Sequence, residues 1–135
     1  MKYKIHHKIA GIILKNKKLL MTRKYNEPHF IMPGGEIKKK ETPEKTLSRE
    51  LKEELNVKLI SMKYFNIYVA RHFKKKNVLV VMETYIVKIR GKPKASHEIN
   101  EFSWIDSSYK KEGIKLASIN RDYLIPELKK KHLII

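Results

Sequence analysis

A pair of glycines running into an acidic helix constrains this 135-residue chain more than anything else in it. The stretch is Gly34 to Val57, GGEIKKKETPEKTLSRELKEELNV, entered through Pro33. Thr42-Pro43 makes a strong helix start. The hydroxyl can cap a free N–H, and proline at the first helical position has no N–H to leave unpaired. Neither Gly nor Pro interrupts the run from Glu44 to Asn56, and good helix formers fill most of it. At about 100° per residue, Glu53 and Glu54 fall within about 60° of Glu50 on either side. Leu47, Leu51 and Leu55 form an adjoining apolar stripe, and Arg49 flanks the acids from the far side. Lys45, Lys52 and Asn56 take the solvent side.

Carboxylates at i, i+3 and i+4 repel by a few tenths of a kcal/mol per pair when exposed. That cost grows with burial. The chain carries 31 Lys and Arg against 14 Asp and Glu, a net charge of +17, so this concentration of acid is local and against the overall balance. Arg49 and nearby lysines could neutralise it as an ordinary solvated helix face. A hard divalent cation could do so too, since Mg²⁺ takes a few carboxylates plus waters and substrate phosphates. The glycine turn ahead of the helix, with Glu41 just before it, favours the cation.

The spacing Gly35, Glu41, Arg49-Glu50-Leu51, Glu53-Glu54, Val57 resembles the box of the Nudix hydrolases, Gly-x5-Glu-x7-Arg-Glu-U-x-Glu-Glu-x-Gly-U, where U is a bulky aliphatic. The one departure is Asn56 in place of glycine, and Asn is the next-best residue for a left-handed helix end. The lead-in Phe30-Ile31-Met32-Pro33 and the late Trp104 also suit the family. The resemblance implies an α+β fold, an α/β/α sandwich with a mixed β-sheet between helices.

The residues lead to the same class. One domain spanning 1–135 is expected from the length. There is no cysteine, hence no disulfide framework or thiolate chemistry. Neither a signal peptide nor a membrane span can be read from the apolar runs, and a soluble cytoplasmic protein is the default expectation. The positive charge is mostly lysine, with only Arg23, Arg49, Arg71, Arg90 and Arg121 as arginine. It forms a diffuse field rather than a set of bidentate clamps. Nucleic acid is compatible with that field but is not favoured by it, since no basic-plus-aromatic repeat is present.

Residues 3–14 read as a strand, with 18–24 as its antiparallel partner across the turn Lys15-Asn16-Lys17. Phe30 to Met32 reads as a short strand and Lys58 to Val69 as a longer one. Arg71 to Asn77 reads as an exposed connection and Val78 to Ile89 as a central strand. Glu98 to Ile105 alternates loosely. Ser118 to Lys131 reads as a second helix capped by Ser118 or Asn120, with Tyr123, Ile125 and Leu128 toward the sheet and Pro126 bending it or shifting its start.

By resemblance, Glu50, Glu53, Glu54 and the Gly35 carbonyl would ligate Mg²⁺, with Mn²⁺ as the alternative. Arg49 and Glu41 would orient the ligands. The general base would be Glu53 or Glu54 in the box, or Glu98 or Glu101 downstream. Arg23, Lys24 and Phe30 are candidates for binding substrate, with Tyr68, Phe73 and Phe102 as further stacking aromatics and His29 the histidine closest to the turn. The implied substrate is a small nucleotide, foremost a (d)NTP, oxidised purines included, cleaved to NMP and pyrophosphate. ADP-ribose or a sugar nucleotide is the alternative within the enzyme class, and a non-catalytic nucleotide- or RNA-binding module is the alternative outside it. A monomer or homodimer fits either.

Overall fold

The acidic helix sits where the sequence puts it. In the computed structural model, which describes residues 2–135, α1 (Pro43–Leu55) starts with the Lys45 N–H donating to Thr42 Oγ1 at 3.2 Å. It stops at Asn56, left-handed at φ 54°, whose N–H donates back to the Lys52 carbonyl at 3.1 Å. Leu47, Leu51 and Leu55 are fully buried against Ile9, Ile13, Leu20, Val57 and Val87. Burying each such side chain is worth roughly 1.5–3 kcal/mol, so this stripe fixes the helix and aims its acidic face.

The strands are β1 (Lys4–Ile12), β2 (Leu14–Lys15), β3 (Lys18–Lys24), β4 (His29–Phe30) and β5 (Gly34–Glu36) before the helix. After it come β6 (Lys58–Arg71), β7 (Val78–Arg90), β8 (Ile99–Ile105) and β9 (Lys115–Leu116). The main sheet has the order β5-β1-β7-β6 and is mixed: β1 runs parallel to β7, while β5 and β6 pair antiparallel. A second sheet has the order β2-β3-β8, and β4 pairs with β9 in parallel. The run 78–89 is therefore a central strand, as its apolar sequence implies.

The amino-terminal hairpin is shorter than expected. Leu14 and Lys15 pair in register with β3 across Asn16 and Lys17 at φ 52° and 61°, and the Ile13 carbonyl accepts one further bond from the Leu20 N–H. Residues 4–12 leave for the main sheet, because Ile9, Ala10 and Ile12 are fully buried and only a strand covered on both faces offers that burial. The second helix is also reshaped. Asn120–Leu124 forms a π-helical turn before α2 (Ile125–Lys130). Pro126 has no N–H to return to residue 122, and the widened turn ahead of it absorbs that defect. Among the described residues no side chain caps this segment and none partners Asn120 Oδ1, which is buried inside it. Ile125 and Leu128 face the core, but Tyr123 is about half exposed and stacks on Tyr68 at 6.5 Å.

α1 covers one side of the main sheet, and the carboxy-terminal helix packs into a second core on the other, with Ala10, Ile12, Met21, Met32, Tyr68 and Met82. The architecture is α+β with mixed sheets between helices.

Candidate functional site

Gly34 brings the turn against the helix. Its φ of +137° is a left-handed conformation, and a Cβ there would lie 2.9 Å from the Ala10 backbone. Only glycine fits. Its N–H donates to Glu54 Oε1 at 2.8 Å, which fastens the turn to the last acid of the helix. At Gly35 the constraint is the acid itself, since a Cβ would lie 2.5 Å from the Glu50 carboxyl carbon.

Arg49 organises the opposite flank. Its Nε and Nη2 donate to the two oxygens of Glu41, each at 2.9 Å, and its Nη1 donates to Glu50 Oε1 at 2.6 Å. Glu53 Oε2 stands 3.8 Å from the same nitrogen. Glu41 further accepts the Lys38 N–H and the Thr46 hydroxyl, each at 3.0 Å. The Arg49 hydrogen bonds hold the Glu41 carboxyl down at about 2. Glu41 thus faces Arg49 and the turn rather than the acid cluster.

The cluster itself consists of Glu50, Glu54 and Glu98, each offering one carboxylate oxygen within 4.8 Å of the other two. Glu98 arrives from a loop distant in sequence. The Lys94 N–H donates to the Leu55 carbonyl at 2.9 Å and the Ser96 N–H to the Glu54 carbonyl at 3.0 Å, while the Ser96 hydroxyl donates to the Glu53 carbonyl. His97 then takes a left-handed turn at φ 52°, and the next residue, Glu98, meets the helix acids. Glu53, half exposed, lines the same recess with His97.

Burial dominates the electrostatics. Glu54 is 2% exposed, and desolvation pushes its carboxyl up to about 7 against the opposing pull of Lys8 and the Gly34 N–H. Desolvation raises Glu50 as well, despite Arg49. Three converging carboxylates, two of them reluctant to carry charge, form an all-oxygen donor set that a hard divalent cation would satisfy. The residues present fit such an ion.

A cleft of about 460 Å³ opens beside the cluster and shares Glu50 and Glu98 with it. His29 and His72 pack on Phe73 with ring centroids 5.0 and 4.9 Å apart, and all three line the cleft. Lys24, which ion-pairs with Glu98 at 3.7 Å, stands on its rim. Of the other candidates, Arg23 donates to Glu101 at 2.6 Å and to the Glu27 carbonyl at 3.0 Å. Facing positions on β3 and β8 hold Arg23 and Glu101 together, and neither lines the cleft. Phe30 is 6% exposed inside the core, so it presents no face for stacking. Tyr68 and Phe102 also pack in the cores, which leaves Phe73 as the cleft aromatic of that group.

Two cleft residues escape a sequence reading. Lys8 passes as one more lysine in a basic chain, yet it is 9% exposed and its Nζ donates to the Met32 carbonyl at 2.6 Å. The signal was its parity: in a strand Lys8 shares a face with the buried Ala10 and Ile12. Asn120 passes as a helix cap and instead lines the cleft, its Oδ1 buried and without a partner among the described residues.

A NUDIX domain model matches residues 5–111. An 8-oxo-dGTP diphosphatase of Buchnera aphidicola subsp. Schizaphis graminum is 31% identical over 61 residues, 42% of this chain and 47% of that protein. The match thus spans about half the length of the curated relative. Among solved structures, the E. coli ORF135 protein superposes with a TM-score of 0.72 at 21% identity, covering 96% of this chain and 91% of that one. The MutT protein from Methanosarcina mazei Go1 gives 0.72 at 22% identity, covering 97% of each chain. A family member from Chromobacterium violaceum gives 0.75 at 18% identity, covering 96% and 80%. These last three likenesses concern the fold.

Proposed function

The chain belongs to the Nudix family, and from that premise we propose that it is a divalent-metal-dependent pyrophosphohydrolase cleaving a (d)NTP, oxidised purine forms included, to NMP and pyrophosphate. The observation that carries this reading is the arrival of Glu98 at Glu50 and Glu54 beside an open cleft. An isolated acidic helix face has no use for a further acid brought from elsewhere.

In this reading Glu50 and Glu54, with Glu53 and the Gly35 carbonyl beside them, would hold the ion, Mg²⁺ or Mn²⁺, and Glu98 would reach it through a bound water. The ion would neutralise phosphate oxygens and acidify a bound water. Arg49, gripped by Glu41, fixes the rotamer of Glu50, a positioning role. Glu98 is the most exposed of the three converging acids and sits on a loop. It holds a water and takes its proton as the oxygen bonds to phosphorus and the bridging P–O bond breaks toward pyrophosphate. The cluster of His29, His72 and Phe73 rings along the cleft supplies an aromatic wall for the base. Asn120, which lines the cleft with its Oδ1 unpartnered among the described residues, would accept from a base N–H after a side-chain rotation. The relative named as an 8-oxo-dGTP diphosphatase supports a purine triphosphate over a sugar nucleotide.

The test is a panel of (d)NTPs, 8-oxo-dGTP, ADP-ribose and dinucleoside polyphosphates incubated with Mg²⁺ or with EDTA, with products separated by chromatography. The expected result is monophosphate and pyrophosphate from a triphosphate, abolished by EDTA. No turnover of any compound, beside RNA binding with a steep salt dependence, would overturn the reading in favour of a binding module.

A further inference from the structure

Lysine at position 8 is hard to account for as scaffolding. Its strand neighbours on that face, Ala10 and Ile12, are fully buried, and its cross-strand partner Met82 is 1% exposed. Burying an ammonium costs several kcal/mol unless its hydrogen bonds and charge are met. An ammonium has three N–H donors, and among the described residues Lys8 finds one acceptor, the Met32 carbonyl. Glu54 exerts the strongest opposite charge on it, but among the described residues Lys8 forms no ion pair, and Glu54 Oε1 accepts from the Gly34 N–H. The ammonium instead lines the cleft together with Glu50 and Glu98.

A fixed cation beside carboxylates that bind a metal ion also weakens that binding, by the repulsion of like charges. The arrangement becomes favourable once an anion sits between ammonium and metal. Lys8 lines the cleft that would take the nucleoside and lies beside the acids where the phosphoryl bridge must be cut. The part of a nucleotide that spans this junction is the phosphate attached to the nucleoside.

We propose that Lys8 is a phosphate-binding residue of this enzyme, its buried ammonium donating to a non-bridging oxygen of the nucleoside-linked phosphate from the floor of the cleft. The proposal rests on the cleft being a nucleotide site. Lys24 faces the same junction from the rim, but its side chain is 43% exposed and already paired with Glu98. A screened, mobile lysine contributes long-range attraction, whereas the buried one supplies a fixed contact.

The experiment compares binding of a nucleoside monophosphate with binding of its parent nucleoside by calorimetry, in EDTA so that no metal takes part. The pair is chosen to match the base of the triphosphate turned over fastest in the panel. Wild type should bind the monophosphate about tenfold or more tightly than the nucleoside, the worth of a charge-assisted hydrogen bond. Lys8→Met should erase most of that gap while leaving nucleoside affinity within about twofold, and Lys8→Arg should restore part of it. A thermal melt of each variant separates loss of fold from loss of contact. An unchanged gap in folded Lys8→Met would overturn the proposal, and so would equal loss of both ligands, which would assign Lys8 to the base. Absence of turnover throughout the panel would remove the nucleotide reading and this proposal with it; turnover with an unchanged gap removes this proposal alone.

Discussion

The Ser96 N–H donates to the Glu54 carbonyl at 3.0 Å, so the last turn of the acidic helix and a loop 42 residues downstream share a backbone hydrogen bond. Through this contact and its Lys94 neighbour, Glu98 reaches Glu50 and Glu54 while Glu101, three residues on, pairs with Arg23.

Glu98→Gln should lower kcat by about 100-fold or more, the range for losing a general base, with KM for nucleotide little changed. Glu101→Gln should keep kcat within about twofold. Steady-state kinetics on the best triphosphate from the panel check both. Comparable losses in the two variants would sink the assignment.

The two glycines should fail differently. Gly34→Ala places a Cβ against rigid β1 backbone at a left-handed φ, so it should lower the melting temperature sharply or prevent folding. Gly35→Ala meets only the end of the Glu50 side chain. It should fold with a nearly normal melt and lose activity by displacing that carboxylate. Calorimetric melts beside kcat distinguish the two.

Arg49→Lys keeps the charge but loses the two-pronged grip on Glu41 and the third donor to Glu50. Groups that orient metal ligands typically contribute 10–100-fold to metal affinity. Mg²⁺ titration should therefore show an apparent Kd raised by about tenfold, with the fold retained by circular dichroism. A lysine variant with wild-type Mg²⁺ dependence would show that charge alone suffices.

Stability without metal should dip near neutral pH. Glu54 is raised from 4.5 to about 7 in the fold, so its contribution is whole below pH 4.5 and is lost as pH rises through 7. Lys8 is lowered from 10.5 to about 8, so its contribution is whole above pH 10.5 and is lost as pH falls through 8. Both losses are complete between about pH 7 and 8, and at about 1.4 kcal/mol per pKa unit the acid side alone amounts to a few kcal/mol. Melts in EDTA should therefore fall from pH 5 to 7, and Glu54→Gln should flatten that slope. Saturating Mg²⁺ should raise the wild-type melt most at pH 7 to 8, where the carboxylates are ionised and free to bind it. A wild-type melt independent of pH in EDTA would contradict the buried-acid picture.

By itself the sequence determined what lies close along the chain: the capped helix, its three-leucine stripe, the glycine turn and the left-handed Asn56. Local spacing sets local geometry, because helix periodicity and the steric demands of individual residues need no distant partner. Tertiary structure decided which distant groups meet. It delivered Glu98 rather than Glu101 to the acids, buried Phe30, replaced a plain second helix with a π-turn carrying Asn120, and turned Lys8 into the cleft. Those outcomes depend on strand register and on backbone hydrogen bonds between segments far apart in sequence. A shift of one residue in register reverses which side chains point inward.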